Sequence, residues 1–275
     1  MEVNMILDTI AEATRKRVEK AKKHIPMEEL KAKIFAEEGR AGFGHREDFA
    51  FEKVLKKKEI SFICEVKKAS PSKGIIVKDF PYLTIAKEYE ASGADAISVL
   101  TEPEYFKGSS RYLQEISAEV TIPVLRKDFI IDEYQIYEAK VIKADAVLLI
   151  CSLLDTKQIK KYLSICDALG LSALVEAHTK EEINMALNSG ARIIGVNNRN
   201  LQTFEVDIYN SINLRSLVPI NISFVAESGI GSSKDIADLK AACVDAILIG
   251  EMLMKSTNKK EMIDALRCGK SCSLN

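Results

Sequence analysis

Eight short runs rich in Val, Ile and Leu recur along the chain, beginning near Phe62, Ala96, Pro123, Asp145, Ser172, Arg192, Ile222 and Asp245. Their starts lie roughly 20 to 33 residues apart, which suits one strand, one helix and two short loops. Unbroken apolar runs are what parallel strands need when both faces are buried. Small residues ahead of them, as in Ser92-Gly93-Ala94-Asp95 and Gly190-Ala191-Arg192, suit helix C-caps leading into a sheet. Eight such units predict an α/β chain folded as a (β/α)8 TIM barrel. An open doubly wound sheet would want a Gly-rich turn after its first strand, and Ser70-Pro71-Ser72-Lys73-Gly74 is not one.

Ahead of the barrel, residues 4 to 24 read as a helix whose Ile6, Ile10, Val18 and Ala21 lie near one stripe. Pro26 can start a second helix through Leu30 and Phe35. A looser stretch, Gly39 to Gly44, precedes a third helical segment around Asp48 to Lys57. The expected organisation is a single domain over 1–275. It comprises an N-terminal helical extension (1–58), the barrel (59–267) and a polar tail (268–275).

Side chains alternate across a strand, so Ile63, Glu65 and Lys67 share one face while Cys64 and Val66 take the other. With Glu65 and Lys67 inward, the matching rows are Leu125/Lys127, Leu148/Ile150, Leu174/Glu176, Gly195/Asn197/Arg199 and Val225/Glu227. The polar members all fall at strand C-terminal ends, where barrel active sites are built. Ser228-Gly229 after strand seven and Gly250-Glu251 after strand eight can offer backbone N–H groups to a phosphate, with a hydroxyl from Ser70. Glu251 helps only if its carboxylate points away from that anion.

Plainer readings stand beside these. Glu65/Lys67 is equally a structural ion pair, and Lys127-Asp128 a solvated loop pair. Glu176 can cap the following helix, and Asn197 to Asn200 can be only an Asn-rich turn. Phe106, Phe129 and Leu148 suit either a pocket wall or the core, and Gly229-Ile230-Gly231 suits a flexible turn.

A formal net charge of -1 argues against nucleic acid as the main partner. The start lacks the continuous apolar core of a signal peptide. The longest apolar run, Ala146 to Cys151, is too short to span a bilayer, so no membrane partner is expected. Cysteines 64, 151, 166, 243, 268 and 272 are scattered without a CxxC and read as reduced thiols rather than metal ligands. A cytoplasmic protein fits. His24, His45 and His178 are read as exposed; of the three, only His178 lies near the mouth, and it is given no role.

Taken together, Glu65 to Gly74, Leu100-Thr101-Glu102 with Tyr105 to Ser109, and Leu125 to Ile130 resemble the indole-3-glycerol-phosphate synthase family. So do Leu174-Val175-Glu176, Gly195 to Leu201 and Ala226 to Ile230. The family closes an indole ring in 1-(2-carboxyphenylamino)-1-deoxyribulose 5-phosphate, losing carbon dioxide and water. The resemblance implies Lys127 as principal general acid and Glu176 as base, or as partner of the departing hydroxyl. It further implies Lys67 at the substrate carboxylate and in dehydration, Glu65 positioning the lysines, and Asn197 on a sugar hydroxyl. Arg199 suits the anthranilate carboxylate, while Glu227 and Ser228 complete the polar ring. Neither metal nor organic cofactor is implied. The partner is the small phosphosugar-anthranilate substrate, and the expected state is a monomer or weak homo-oligomer.

Two alternatives remain on the sequence. Phosphoribosylanthranilate isomerase, a neighbouring barrel enzyme, by resemblance wants a Cys base on strand one, where Cys64 has the wrong parity. A catalytically dead barrel would be expected to have lost some of Lys67, Lys127, Glu176 or Asn197, and all are present.

Overall fold

The computed structural model describes residues 6–37, 46–200 and 203–268. Among them, parallel strands β1 (Ser61–Val66), β2 (Ala96–Leu100), β3 (Val124–Lys127) and β4 (Ala146–Ile150) are joined by β5 (Ser172–Ala177), β6 (Ile193–Asn197), β7 (Ser223–Glu227) and β8 (Ala246–Ile249). Each pairs with its sequence neighbour, and β1 pairs with β8, closing the barrel.

The expected alternation holds around the sheet. Phe62, Cys64 and Val66 belong to the layer between strands and helices. Ile63, Ala96, Leu125, Leu148, Leu174 and Val225 fill the interior. Cys64 is thus buried in the outer layer, where desolvation pushes its thiol well above the ordinary range and keeps it inert.

Several strands start one residue later than the apolar pattern suggests, for a physical reason. Asp145 and Asp245 lie just before β4 and β8 and accept from the backbone N–H of Val124 (2.7 Å) and Phe224 (2.7 Å) on the preceding strands. Asp95 does the same for Phe62 at 2.9 Å. These carboxylates satisfy strand-entry donors that the ladder leaves over. Arg192, before β6, instead pairs with Glu52 (2.8 Å) and Asp167 (2.9 Å). The third strand runs on to Lys127, beyond the Leu125 at which the apolar run ends.

Side-chain caps start the outer helices. Ser109 caps α5 (Ser110–Glu119) and Thr179 caps α8 (Lys180–Ser189). Asp155 and Ser232 form capping boxes with Gln158 and Asp235 on α7 (Thr156–Ala168) and α10 (Ser233–Ala241). Gly190 ends α8 with φ 88°, as its place before β6 suggests. The remaining outer helices are α4 (Tyr82–Ala91), α6 (Tyr134–Val141), α9 (Tyr209–Arg215), α11 (Glu251–Lys255) and α12 (Lys259–Cys268).

The three predicted N-terminal helices are α1 (Ile6–His24), α2 (Met27–Glu37) and α3 (Ala50–Leu55). Residues 39–44, His45, Leu201 and Cys272 lie outside the described residues. In α2 the buried residues are Leu30 and Ile34, while Phe35 is exposed. Val18, Leu30 and Tyr134 cluster where α1 and α2 meet α6. Helix α3 seals the end of the barrel opposite the site, its Phe51 and Leu55 packing on Ile63, Ala96 and Ala146. Ser61 Oγ donates to Val54 O, and Glu52 N–H donates to Ser172 Oγ. Among the described residues no helix is long and apolar enough to cross a membrane.

Phe51 is fully buried at that seal. Phe51→Ala should therefore lower stability by about 3–5 kcal/mol through lost burial and a residual cavity. A fall in the urea midpoint of the purified variant checks this; an unchanged midpoint would show that α3 does not hold the barrel floor.

Candidate active site

A cavity of about 350 Å³ opens at the C-terminal ends of the strands, a volume suited to a small ligand. Every residue singled out from the sequence borders it. The polar group consists of Glu65, Lys67, Lys127, Glu176, Asn197, Arg199 and Glu227. Ser70, Ser228, Gly229, Gly250 and Glu251 edge one side, and Phe106, Phe129 and Leu148 the other.

Strand register explains the polar group. Glu176 lies beside Gly195, and Asn197 beside Glu227. Lys127 Nζ sits between two carboxylates, 3.2 Å from Glu176 Oε2 and 3.4 Å from Glu227 Oε2. Lys67 Nζ is 2.5 Å from Glu65 Oε1. Asn197 bridges the floor and the rim: its Oδ1 accepts from Arg199 N–H at 3.0 Å, and its side chain hydrogen-bonds Glu176. Two glycines make the crowding possible. A methyl at Gly195 would collide with Glu227 Oε1, and one at Gly250 would lie 2.5 Å from Glu65 Oε1.

The electrostatics separate the two carboxylates that flank Lys127. Burial pushes both upward. At Glu176 this is outweighed by Lys127, His178 and hydrogen bonds from Lys127 and Asn197, leaving its carboxyl below the ordinary range. At Glu227 burial prevails, with repulsion from Glu176 opposing the pull of Lys127, and the carboxyl is pushed up to about 8. Its Oε1 has no hydrogen-bond partner. Burial alone would lower the Lys127 ammonium, yet Glu176, Glu227 and Glu65 together hold it above its ordinary value. At neutral pH the floor thus holds an ionised Glu176, a protonated Glu227 and a cationic Lys127.

On the anion-suited edge, Ser228 (φ 66°) and Gly229 (φ 79°) are both left-handed, a turn that Asn198 Nδ2 secures by donating to Ser228 O at 3.1 Å. The Glu251 carboxylate is drawn along α11 to Lys255 Nζ at 2.7 Å, while Gly250 occupies the N-cap position. Ser70 belongs to a two-residue ribbon, Ala69–Ser70 against Gly74–Ile75, in which Gly74 supplies a φ of 64°. The N–H groups of Gly231 and Ser232 are already taken by Asp235. On the aromatic edge, Phe106 and Phe129 stack at 5.9 Å with a 39° tilt.

The plainer readings divide. Asp128 is no solvated partner of Lys127. It is buried on the opposite face, accepting from Arg17 (2.7 Å), Thr101 Oγ1 (2.7 Å) and Arg126 (3.2 Å). Burial raises its carboxyl, but the two guanidinium groups outweigh that and bring it down to about 2. The cap of α8 is Thr179, not Glu176. The Asn-rich segment is both turn and site: Asn198 binds Ser211 through Oδ1, whereas Asn197 and Arg199 face the cavity. Arg199 Nη1 donates to Phe204 O at 3.2 Å, which fixes the guanidinium against its own loop.

His178 must be corrected. Its side chain is only 15% exposed, with Nδ1 3.2 Å from Glu182 Oε2 and Nε2 3.6 Å from Glu176 Oε1. Other contributors escaped the sequence reading. Ile6, Leu7 and Ile10 of α1 line the cavity, and Arg17 pins that helix to Asp128. The buried Glu102 carboxylate accepts from the N–H groups of Glu104, Tyr105 and Phe106, shaping the loop that presents Phe106. The apolar stripe of α1 was the available signal for its lining role; its docking place was not local information.

A (β/α)8 barrel with acid, base and anion-suited turns at one mouth defines a class of barrel enzyme acting on small anionic substrates. Comparisons narrow it. The sequence model of indole-3-glycerol phosphate synthase matches residues 7–266. The protein of that name from Ruminiclostridium cellulolyticum is 56% identical over 96% of this chain and 99% of its own. The one from Endomicrobium trichonymphae is 58% identical over 96% of this chain and all of its own. The chain belongs to the indole-3-glycerol phosphate synthase family. Among solved structures, 3-hexulose-6-phosphate synthase from Salmonella typhimurium aligns with TM-score 0.63 over 77% of this chain and 98% of that one, at 13% identity. That likeness is one of fold.

The split between carboxylates has a measurable consequence. Glu227 shifts from an ordinary 4.5 to about 8 on folding, so the native state binds the extra proton between those values. Its contribution to stability is fully present below the unfolded value and is lost as pH rises through about 8. Relative to the wild type, Glu227→Gln should gain stability from about pH 5 to about pH 9. Urea unfolding of both proteins across this range tests it, and parallel stability curves would refute the assignment.

Proposed function

We infer that this chain catalyses indole-3-glycerol phosphate formation from 1-(2-carboxyphenylamino)-1-deoxyribulose 5-phosphate. A bond forms between the aromatic carbon and the ketone carbon, carbon dioxide leaves, and water is then eliminated. The observation that carries the residue assignment is Lys127 Nζ held between Glu176 and Glu227 at 3.2 and 3.4 Å.

Lys127 acts as the general acid, giving its proton to the ketone oxygen as the ring carbon attacks. The carboxylates that keep it charged also supply the route by which it is recharged. Glu176, ionised and anchored by Asn197, takes the ring proton or holds the departing hydroxyl. Lys67, positioned by Glu65, meets the substrate carboxylate and assists dehydration, and Arg199 grips the same carboxylate from the rim. Glu227, protonated at neutral pH, can donate a hydrogen bond that an ionised carboxylate could not. Ser228 belongs to the same ring, and Phe106, Phe129 and Leu148 sandwich the anthranilate. The phosphate is received by Ser70 and by the backbone N–H groups of Gly229, Gly250 and Glu251.

The catalytic unit is residues 59–267, with 1–58 as an extension whose α1 walls the cavity and 268–275 as a tail. The chain works without metal or organic cofactor, as a monomer or weak homo-oligomer in the cytoplasm, where its thiols stay reduced. The isomerase alternative is disfavoured by the outward, buried Cys64.

With no tryptophan in the chain, product indole can be followed by fluorescence over a low background. Lys127→Ala should lower kcat by about 10²–10⁴-fold. No signal from folded wild type would reject the reaction, and a signal undiminished in the variant would move the acid to Lys67. The wall formed by α1 predicts a different phenotype. Replacing Leu7 and Ile10 together by Ser should raise KM several-fold and leave kcat within about twofold, since these side chains contact bound substrate and not the reacting atoms. An unchanged KM would remove α1 from the binding surface.

A further inference from the structure

Among the described histidines, His178 alone faces the charged floor, and it comes with its own support. Strand β5 delivers Glu176, and His178 follows one residue past the strand's end at Ala177. The imidazole Nδ1 is 3.2 Å from Glu182 Oε2. Glu182 is fixed in turn, with Ser152 Oγ donating to its Oε1 at 2.6 Å and the His178 backbone N–H donating to its Oε2 at 2.6 Å. The other ring nitrogen, Nε2, is buried without a hydrogen-bond partner and stands 3.6 Å from Glu176 Oε1. A buried donor left unmatched beside a carboxylate is costly unless the two meet. Here a movement of roughly a few tenths of an ångström completes the bond.

We propose that His178 is a positioning residue for Glu176: anchored through Nδ1 by Glu182, it turns Nε2–H onto Glu176 Oε1 and leaves Oε2 aligned with Lys127. This deepens, and rests on, the ring-closure reading above. The two oxygens of Glu176 then have separate partners, so the carboxylate cannot rotate away from the acid–base line. The same arrangement keeps Glu176 ionised between proton transfers, because an imidazolium donates from both nitrogens.

The surroundings favour that imidazolium. Glu176 near the end of β5, Glu182 on α8 and Glu227 on β7 face it as carboxyl groups. The nearest cation of the floor is Lys127, beyond Glu176. The Cys151 thiol, 3.6 Å from Glu182 O, and the Asn210 amide, 3.3 Å from His178 O, add no cation. Burial by itself would lower the imidazole, and the Glu182 hydrogen bond with the charges of Glu176 and Glu182 raises it above its ordinary value, Glu227 adding to this only where it is ionised.

Two readouts test the proposal on the full chain. In histidine-ring NMR, His178 is assigned by its absence in His178→Gln, the chain having three histidines. Its titration should lie above the ordinary histidine range and fall toward it in Glu176→Gln. Kinetically, His178→Gln should lower kcat about tenfold with KM within about twofold. The wild-type kcat should decline on the alkaline side as the His178 imidazolium and the Glu227 carboxyl deprotonate, and in the variant, which has no titrating ring, the imidazolium component should vanish and only that of Glu227 remain. A role confined to starting α8 is separable, because Glu182 keeps its backbone contact in every variant. An unshifted kcat and alkaline limb, or a His178 titration indifferent to Glu176→Gln, would overturn the proposal. Wild type that forms no indole would sink the ring-closure reading, and the NMR arm would still decide the Glu176–His178 contact.

Discussion

A closed parallel barrel allows only two directions for a side chain, and this parity governs the molecule. One residue of slip would send Glu65, Lys127, Glu176 and Glu227 into the helix layer and bring apolar side chains to the mouth. The interior below them, from Ile63 round to Val225, gives the register its restoring force, because slipping any strand would replace those side chains with others shaped for the outer layer. The charged floor therefore rests on an apolar plug. That plug is closed from beneath by α3, whose Phe51 and Leu55 finish the packing begun by the strands.

Parity also explains what could be read in advance. Strand positions and the inward row of each strand are local, period-two properties, so Glu65/Lys67, Leu125/Lys127 and Leu174/Glu176 announce their face in a few residues. Partners across the fold are not local. Arg17 meets Asp128 across 111 positions of sequence, and nothing in α1 distinguishes Arg17 from its other surface cations. Glu102 folds its own loop by accepting three backbone N–H groups, a conformation without periodic signature. His178 is an instructive miss. It lies one residue past the end of β5, where strand alternation no longer sets a side chain's direction, and the segment after Glu176 reads as a helix entry.

The site holds the N-terminal helix α1 through the outer face of the strand that carries Lys127. Lys127 points in, while its neighbours Arg126 and Asp128 point out to Glu138, Thr101 and Arg17. Removing either partner of such a buried pair leaves the other unmatched, so the outer network holds β3 rigidly at its C-terminal end. Rigidity there matters, because Lys127 is a long flexible side chain whose position must be fixed to a fraction of an ångström between two carboxylates. The same Arg17 fixes α1 where its apolar residues wall the cavity, so Lys127 and the cavity-lining helix share one anchor.

Two carboxylates in one floor need not behave alike, and here their differences follow from neighbours more than from burial, which is nearly equal for Glu176 and Glu227. Glu176 has Lys127, Asn197 and His178 to satisfy its charge. Glu227 has Lys127 on one oxygen and nothing on the other, in a space that exists because residue 195 lacks a side chain. Sharing one ammonium, the two cannot both be ionised without penalty, and the carboxylate with more hydrogen-bonding and charged partners keeps the charge. The division between the charged and the protonated carboxyl is thus written partly in a glycine and an asparagine that carry no titratable group. Such residues are invisible to a search for titratable groups and become intelligible only once the strands that carry them are placed side by side.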